Sequence, residues 1–392
     1  MPRIKVALLV PDGAADLPLD SLGGKTPLQA ARTPNMDAVA RLGATGTATT
    51  VPAGMAPGSD VANLSLMGYD PATHYGGRAP VEAANLGIDI PAGWTAFRCN
   101  LVKTDGERML DYSAGHISQV DAERSIAVLE AALGCARIHF YPGKSYRNLM
   151  LLKGDYTSVA CTPPHDITGE PMEKHMPRGK HAGRIRDLME MSRDVLARLS
   201  DAPADMIWPW GQGVQMKLES FKELYGYTGS VISAVDLVCG IGRLAGLVPV
   251  SVTGATGFLD TDYAAKGKAA IEALGRADFV FVHVEAPDEA AHMGDIGEKV
   301  KAIEQFDENV AGPVLEHLKE RGGPYRVLVA PDHPTLIKTR THDASPVPYA
   351  VCGSGVEASG AGGFSEAEAS SGGPHFAKGW RLMGRLTDPA PW

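Results

Sequence analysis

The strongest constraint on the fold comes from three short, almost continuous apolar segments, each followed closely by an aspartate. The segments are residues 4–10, 277–284 and 325–330. Apolar runs of this length are typical of strands in a parallel sheet that is covered on both faces. Asp12, Asp288 and Asp332 follow the three segments. Because open α/β sheets bind their ligands beyond the carboxyl ends of the strands, these aspartates indicate a functional site at that edge.

Helical patterns alternate with these strands, which predicts an α/β fold with a mainly parallel sheet between helices. Apolar residues recur at three- to four-residue spacing in segments 34–42, 121–133, 182–199, 233–244, 263–274 and 297–321. The middle of the chain differs, since it is rich in Arg, His, Pro and Gly. We therefore predict a discontinuous core domain of residues 1–75 and 205–392, interrupted by a smaller inserted α/β domain of residues 76–204.

Composition narrows the class of protein further. The chain has 37 Lys and Arg residues against 46 Asp and Glu residues, a formal charge of −9. This balance argues against nucleic-acid binding, but it allows local basic clusters around a small anion. No apolar run approaches the roughly 18 residues that span a bilayer, so we expect neither a membrane protein nor a secreted one. The five cysteines are scattered without a C-x-x-C pair, which predicts reduced thiols in a cytoplasmic protein.

Several candidate metal ligands lie near strand ends and helix starts. Asp288 and His292 are four residues apart, so a helix would place both on one face. Asp332 and His333 are adjacent just after a strand, where a loop can direct both side chains to one ion. His342 lies in a polar loop. Taken alone, each residue is also explained by a helix cap, a turn or a solvated side chain.

Asp12 and Ser59 complete this set of candidates. Asp12 precedes a glycine after the first strand, which a plain turn would also explain. Ser59 either caps the helix that follows it or is a nucleophile at a helix N-terminus, where free N–H groups favour an alkoxide and a phosphoryl oxygen. Carboxylates and imidazoles without thiolates suit two Mn(II), Zn(II) or similar ions. Two such ions would hold a serine alkoxide and clamp a phosphoryl group in line with it.

Longer motifs surround these residues along almost the entire chain. They comprise residues 12–13, 22–28, 33–37, 57–71, 111–117, 210–213, 283–292 and 331–335. In these motifs the chain resembles the archaeal-type, cofactor-independent phosphoglycerate mutase family of the alkaline phosphatase superfamily. The resemblance implies an alkaline-phosphatase-like core that carries two metal ions and an inserted lid domain that binds substrate. It also implies that Mn(II) is the usual metal, with Mg(II), Co(II) or Zn(II) as substitutes, and that no 2,3-bisphosphoglycerate is required.

The resemblance also implies roles for the candidate residues. One metal would be held by Asp288, His292 and His342, and the other by Asp12, Asp332 and His333. Ser59 would be the nucleophile and a metal ligand. It would attack 3-phosphoglycerate to leave a phosphoserine, and the 2-hydroxyl of glycerate would then take the phosphoryl group back.

Basic residues of the inserted domain suit an anionic substrate, because guanidinium groups bind carboxylate and phosphate bidentately. The substrate-binding candidates are Arg78, Arg147, Arg184 and Arg186. His116 and Asp166 lie in motifs of unusual composition and are candidates for moving the glycerate protons. We thus expect a small phosphorylated substrate and a monomer or small homo-oligomer.

Other functions share most of these motifs. Homoserine kinase-like members of the same family would keep the metal site and the serine, and would take phosphate from ATP. Such a kinase needs no Walker A loop, and this chain has none. A metal-dependent phosphatase would result if the inserted domain did not exclude water. A non-enzymatic binding module would require neither the metals nor Ser59.

Overall fold

The computed structural model describes residues 3–371 and 373–392, and these residues form two compact units. The core unit contains the described residues up to Tyr75 together with Leu218–Trp392. The inserted unit is Gly76–Lys217. The chain therefore leaves the core unit once and returns to it once.

Strands occur in both units. In chain order they are β1 (Lys5–Pro11), β2 (Ala44–Ala48), β3 (Trp94–Thr104), β4 (Met109–Asp111), β5 (Ile138–Lys144), β6 (Arg147–Lys153), β7 (Met206–Gly213), β8 (Gly229–Ile232), β9 (Val248–Pro249), β10 (Phe279–Val284), β11 (Tyr325–Val329), β12 (Thr335–Leu336), β13 (Thr341–His342), β14 (Val347–Gly353) and β15 (His375–Phe376).

Helices connect most of these strands. They are α1 (Pro27–Ala30), α2 (Pro34–Leu42), α3 (Ser59–Leu66), α4 (Pro71–His74), α5 (Arg78–Asn85), α6 (Gln119–Leu133), α7 (Ala182–Leu196), α8 (Phe221–Tyr225), α9 (Asp236–Leu244), α10 (Tyr263–Arg276), α11 (Ala286–Met293), α12 (Ile296–Phe306), α13 (Gly312–Glu320), α14 (Glu366–Ser370) and α15 (Arg381–Thr387). Among the described residues, no helix has the length and apolar character needed to cross a bilayer.

The core unit is built on an eight-stranded sheet with the order β15-β2-β14-β11-β1-β10-β8-β9. β1 pairs in parallel with β10 on one side and with β11 on the other, and β8 and β9 continue the parallel arrangement. Only the two pairs that involve β14 are antiparallel among the described strands of this sheet. The prediction of an α/β fold with a mainly parallel sheet is therefore confirmed.

The register of the central strands brings their carboxyl ends together. Val10 of β1 lies opposite His283 of β10, and Leu9 lies opposite Val329 of β11. The chain segments that follow these three strands therefore leave the sheet at one edge, where ligands of α/β proteins bind.

Burial on both faces explains why these strands are almost entirely apolar. Leu9 and Val282 lie in the main hydrophobic cluster, to which α2, α10, α12 and α13 contribute side chains. Phe279, which points to the opposite face of β10, stacks on Phe221 of α8 with ring centroids 4.5 Å apart. The sheet is thus a central layer between helices.

The prediction of one continuous α-helix over residues 297–321 is wrong at its centre. The structure interrupts it with a π-helical turn, Asp307–Ala311, between α12 and α13. Gly312 N donates to Asp307 O, five residues earlier, and Pro313 has no N–H to continue the α-helical pattern. The turn directs the Asp307 carboxylate to the backbone N–H of Met36, where it stabilises the start of α2.

The inserted unit contains a five-stranded antiparallel sheet in which β3 pairs with β4, β6 and β7, and β5 pairs with β6. Helices α6 and α7 pack on one face of it, and α5 packs on a smaller cluster with β6 residues. Residues 205–217, which we predicted to belong to the core domain, lie in this unit. The reason is that β7 pairs with β3, with Trp210 opposite Arg98.

Candidate active site

Three buried residues at the carboxyl edge of the core sheet form the first candidate metal cluster, cluster A: Asp12, Asp332 and His333. Asp12 follows β1, and the other two residues follow β11. His333 Nε2 lies 3.6 Å from Asp12 Oδ1 and 3.5 Å from Asp332 Oδ2. The predicted convergence of strand ends is therefore present in the structure.

Cluster B consists of Asp288, His292 and His342. Asp288 and His292 lie one turn apart on α11, with His292 Nε2 3.2 Å from Asp288 Oδ2. His342 is on β13, and its Nε2 lies 3.0 Å from His292 Nε2 and 3.5 Å from Asp288 Oδ1. His292 Nδ1 donates to Arg340 O at 2.9 Å, which orients the ring so that Nε2 faces the cluster.

The charges in cluster A are incompletely compensated by the described residues. Neither carboxylate oxygen of Asp12 has a hydrogen-bond partner there, although the side chain is fully buried. Burial and the neighbouring Asp332 raise the pKa of Asp12 well above its usual value. A buried carboxylate without partners is costly unless a cation neutralises it. The donor set of this cluster therefore fits a divalent ion.

In cluster B, burial and hydrogen bonding have opposite effects on the pKa of the carboxylate. Burial is the largest single effect and opposes ionisation of Asp288, but hydrogen bonds from His292 and His342, together with the charges of His333 and His342, lower its pKa well below the usual value. The hydrogen bond to Asp288 in turn raises the pKa of His292 to about 9. A carboxylate and two imidazole nitrogens that converge on one point form an N/O donor set for a transition-metal ion.

Ser59 lies next to cluster A. It is the first residue of α3, and its hydroxyl oxygen is 3.2 Å from His333 Nε2. Asn63, one turn further along α3, donates both to Ser59 O at 2.9 Å and to Asp332 Oδ2 at 2.7 Å. This amide attaches the start of α3 to the metal cluster. Ser59 is only partly buried, so part of the residue is open to a ligand.

The structure adds residues that the sequence analysis missed. His283 Nε2 lies 3.1 Å from Asp12 Oδ2, although neither atom is aligned for a hydrogen bond. Thr335 follows His333 by two residues, and its hydroxyl contacts both clusters. For Asn63, the spacing of four from Ser59 was an available signal. His283 lies within an apolar strand, where the sequence pattern indicates only a core position.

The inserted unit brings together some of its predicted residues around Trp210. The guanidinium carbon of Arg98 lies 4.2 Å from the Trp210 ring centroid, and that of Arg78 lies 5.8 Å from it. The His165 ring packs edge-on against the same indole, and His165 Nε2 is 3.5 Å from Asp166 Oδ1. We call this group the arginine–aromatic cluster.

Arg147 and His116 both pack on the Tyr146 ring. That ring is connected to His165 of this cluster through the Tyr112 ring. Arg147 lies over the Tyr146 ring at 5.5 Å, and His116 packs edge-on against that ring.

Burial lowers the pKa of Arg98, and the charges of Arg78 and Arg147 lower it further, against the effect of Glu82. Arg98 Nε lies 3.0 Å from Glu82 Oε1, so Arg78 and Arg147 carry the positive charge that this carboxylate does not balance. Arg98, which the sequence analysis did not select, is the buried one of the three arginines, since Arg78 and Arg147 are only partly buried.

Arg184 and Arg186 lie elsewhere in the inserted unit. Both are exposed on α7, and Arg186 Nη1 donates to Pro177 O at 2.7 Å. In the part of the chain that the structure describes, neither residue contacts the arginine–aromatic cluster. His116 is also exposed and has a left-handed backbone (φ 52°). It follows a turn in which the Asp111 carboxylate accepts hydrogen bonds from the backbone N–H groups of Ser113 and Gly115.

Comparison with known proteins is consistent with this geometry. Residues 40–200 match the family model described as 2,3-bisphosphoglycerate-independent phosphoglycerate mutase. The protein of that name from Methanothrix thermoacetophila is 50% identical over 389 residues, which cover 97% of this chain and 98% of the relative.

Two solved structures are similar over nearly the whole chain. The PH0037 protein from Pyrococcus horikoshii has a TM-score of 0.82 at 27% identity and covers 100% of this chain and 99% of its own. A cofactor-independent phosphoglycerate mutase from Thermoplasma acidophilum has a TM-score of 0.67 at 25% identity, with 98% of both chains covered. With half of its residues identical to a full-length relative, the chain belongs to the 2,3-bisphosphoglycerate-independent phosphoglycerate mutase family.

Proposed function

We propose that this chain interconverts 3-phosphoglycerate and 2-phosphoglycerate, and that Ser59 carries the phosphoryl group between the two positions. The observation that supports this most directly is the position of the Ser59 hydroxyl. It lies at the N-terminus of α3, beside cluster A, on a residue that is only partly buried. Backbone N–H groups and the helix dipole at this terminus stabilise both an alkoxide and phosphoryl oxygens.

Two divalent ions, for which we propose Mn(II), complete the site, and Mg(II), Co(II) or Zn(II) are possible substitutes. Asp12, Asp332 and His333 would hold one ion together with Ser59, and Asp288, His292 and His342 would hold the other. Bound ions of this kind lower the pKa of a serine hydroxyl and neutralise charge on a transferring phosphoryl group. The uncompensated carboxylate of Asp12 and the paired imidazoles of cluster B support this assignment.

The reaction itself has two balanced halves. Ser59 Oγ forms a bond to phosphorus while the bond from phosphorus to the C3 oxygen of the substrate breaks, which leaves phosphoserine and glycerate. In the second half, the C2 oxygen attacks phosphorus and the bond to Ser59 breaks. The C3 oxygen gains one proton and the C2 hydroxyl loses one, so the net proton change is zero. His116 and Asp166 are our candidates for these transfers.

We propose that the arginine–aromatic cluster binds the carboxylate of the substrate and retains glycerate between the two halves of the reaction. Arg78, Arg98 and Arg147 supply a concentration of positive charge on a rigid aromatic support. Retention matters because water would convert the phosphoserine enzyme into a phosphatase. Arg184 and Arg186 remain candidates only for an outer, exposed contact.

The remaining proposals concern the cellular compartment, the partner and the oligomeric state of the protein. All five cysteines are free, and two of them are buried, which supports a reducing cytoplasmic environment. We propose that the partner is a small phosphorylated molecule and that the protein is a monomer or a small homo-oligomer. Light scattering on the purified protein measures this last property directly.

The test is a paired assay on the Mn(II)-loaded protein. One arm supplies 3-phosphoglycerate without 2,3-bisphosphoglycerate and couples product formation to enolase; the other supplies ATP and homoserine. We expect turnover in the first arm only, with loss of turnover on chelation. Mass spectrometry of acid-quenched enzyme should find phosphate on the peptide that contains Ser59.

Two variants sharpen this experiment. Ser59→Ala removes the attacking oxygen, so turnover should fall by at least about 10⁴-fold, since nothing else accepts the phosphoryl group. Ser370→Ala is the matched control, because the Ser370 hydroxyl is exposed and donates within α14. Turnover only with ATP and homoserine would replace the mutase by a kinase. Release of inorganic phosphate without 2-phosphoglycerate would indicate a phosphatase.

A further inference from the structure

Thr335 lies between the two candidate metal clusters and belongs to neither. It is fully buried at the start of β12, two residues after His333. Its hydroxyl oxygen is hydrogen-bonded to Asp288 Oδ1 of cluster B and lies 3.2 Å from His333 Nδ1 of cluster A. One side chain therefore links an aspartate of one cluster to an imidazole of the other.

The chemistry of the three groups settles the direction of these hydrogen bonds. A threonine hydroxyl has one proton to donate, and an ionised carboxylate can only accept. The hydroxyl therefore donates to Asp288, and its oxygen accepts a proton from His333 Nδ1–H. His333 is thereby held as the Nδ1–H tautomer. Its other nitrogen, Nε2, then has a lone pair directed towards Asp12, Asp332 and the Ser59 hydroxyl.

We propose that Thr335 is a positioning residue that couples the two metal clusters, by orienting Asp288 through its hydroxyl proton and by selecting the His333 tautomer through its oxygen. This inference deepens the proposed function and depends on its two-metal site. It does not depend on the identity of the phosphorylated substrate. Partners of metal ligands typically act in this way, by fixing the orientation and the tautomer of the ligand.

The backbone of Thr335 is held as firmly as its hydroxyl. Thr335 N donates to Ala15 O at 3.2 Å, and the Lys299 ammonium donates to Thr335 O at 2.7 Å. Lys299 also donates to Asp16 Oδ2 at 2.8 Å, and both side chains are almost completely buried. The loop after β1 and the loop after β11 are thus joined at Thr335. A side chain held this rigidly can fix the spacing between two clusters.

The space around the hydroxyl is also closed. A Cβ atom built on Gly13 would lie 2.6 Å from both the Thr335 hydroxyl oxygen and Asp288 Oδ1. The Gly13 backbone therefore packs close to the hydroxyl, and a methyl group in place of the hydroxyl would leave little room for a water molecule. Removal of the hydroxyl should leave His333 Nδ1 and Asp288 Oδ1 without this partner.

The first test measures Mn(II) binding to the metal-free protein by calorimetry. Thr335→Val keeps the shape and removes the hydroxyl, and we expect its Mn(II) affinity to fall about 10- to 100-fold. Thr335→Ser keeps the hydroxyl and should bind within about threefold of the parent protein. Thr339→Val is the control, because Thr339 is exposed four residues further along the chain. Equal affinity of the parent and Thr335→Val would overturn the proposal.

The second test reads the tautomer and needs no metal. Long-range ¹H–¹⁵N correlation spectra of ¹⁵N-histidine protein should show His333 protonated at Nδ1 in the parent, with the signal assigned by its loss in His333→Gln. Thr335→Val should lose this preference. An Nε2-protonated His333 in the parent contradicts the proposal even if the Val variant does not fold. A parent that has the expected tautomer but binds no Mn(II) would instead disprove the two-metal function.

Discussion

At the scale of single residues, the buried carboxylates of the site are packed so closely that some neighbouring positions have no space for a side chain. Gly13 has a left-handed backbone (φ +61°), and its N–H donates to Asp332 Oδ1 at 3.2 Å. A Cβ atom at this position would lie 2.6 Å from Asp288 Oδ1. Glycine therefore has two separate reasons to occupy this position: the backbone conformation and the close approach of a ligand from the other cluster.

A comparison of Gly13→Ala with Gly23→Ala should distinguish the effect of the backbone conformation from the effect of the close approach of Asp288. Gly23 has nearly the same backbone (φ +66°) but no atom within 4 Å of its Cβ position. Gly23→Ala should cost about 1–2 kcal/mol of the free energy of unfolding and leave turnover unchanged. Gly13→Ala should also displace Asp288 and lower turnover about 100-fold, as misplaced catalytic groups do.

Urea unfolding and the enolase-coupled assay measure these two effects. Equal turnover of the two variants would show that Asp288 moves aside without consequence. The close approach at Gly13 would then have no role in the site.

At the scale of secondary-structure elements, α12 connects the core to the loops that bear the metal ligands. Lys299 lies on the buried face of this helix and donates to Asp16 and to Thr335 O, whereas Lys301 lies on the exposed face with Glu298. The ammonium group of Lys299 is removed from water, so its hydrogen bonds to Asp16 and to the backbone must compensate for the lost hydration. Burial lowers the pKa of Lys299, against the effect of Asp16.

Lys299→Met should therefore destabilise the protein by about 3–5 kcal/mol, because it leaves the carboxylate of Asp16 buried without its cation. Lys301→Met removes a surface ion pair from the same helix and should change the free energy of unfolding by less than about 1 kcal/mol. Chemical denaturation of the two variants gives both values. A small effect at Lys299 would mean that water reaches Asp16 when the lysine is absent.

Local spacing explains which parts of the site could be predicted from the sequence. Asp288 and His292 require only the periodicity of α11, and Asp12 and Asp332 require only that parallel strands end at one edge. His283 could not be predicted, because its role depends on the register of β10 against β1.

The same distinction applies to the fold. The sheet and most helices follow from apolar periodicity, which is a local signal. The π-helical turn at Asp307 depends on a tertiary contact with the start of α2, and the position of β7 depends on its pairing with β3. The first feature interrupts the predicted long helix, and the second sets where the inserted unit ends. Pro313 marks the interruption locally, but neither the contact that orients Asp307 nor the pairing of β7 with β3 leaves a pattern in its own segment.

At the scale of the whole molecule, the two units carry different chemistry. Every candidate metal ligand, from Asp12 to His342, lies in the core unit, although the inserted unit separates Ser59 from Asp288 in the sequence. The inserted unit contributes the arginine–aromatic cluster instead. A metal ion should therefore stabilise one unit and leave the intrinsic stability of the other unchanged.

Hydrogen exchange measured by mass spectrometry tests this division. At an Mn(II) concentration 100 times the dissociation constant, binding stabilises the folded core by about 2.7 kcal/mol for one site. Core-sheet amides that exchange only by unfolding of the core unit, such as those of β1 and β10, should therefore exchange about 100-fold more slowly. Amides of β3 and β6 in the inserted unit should not change. Equal slowing in both units would show that they unfold together, whereas slowing in neither would argue against metal binding by the core.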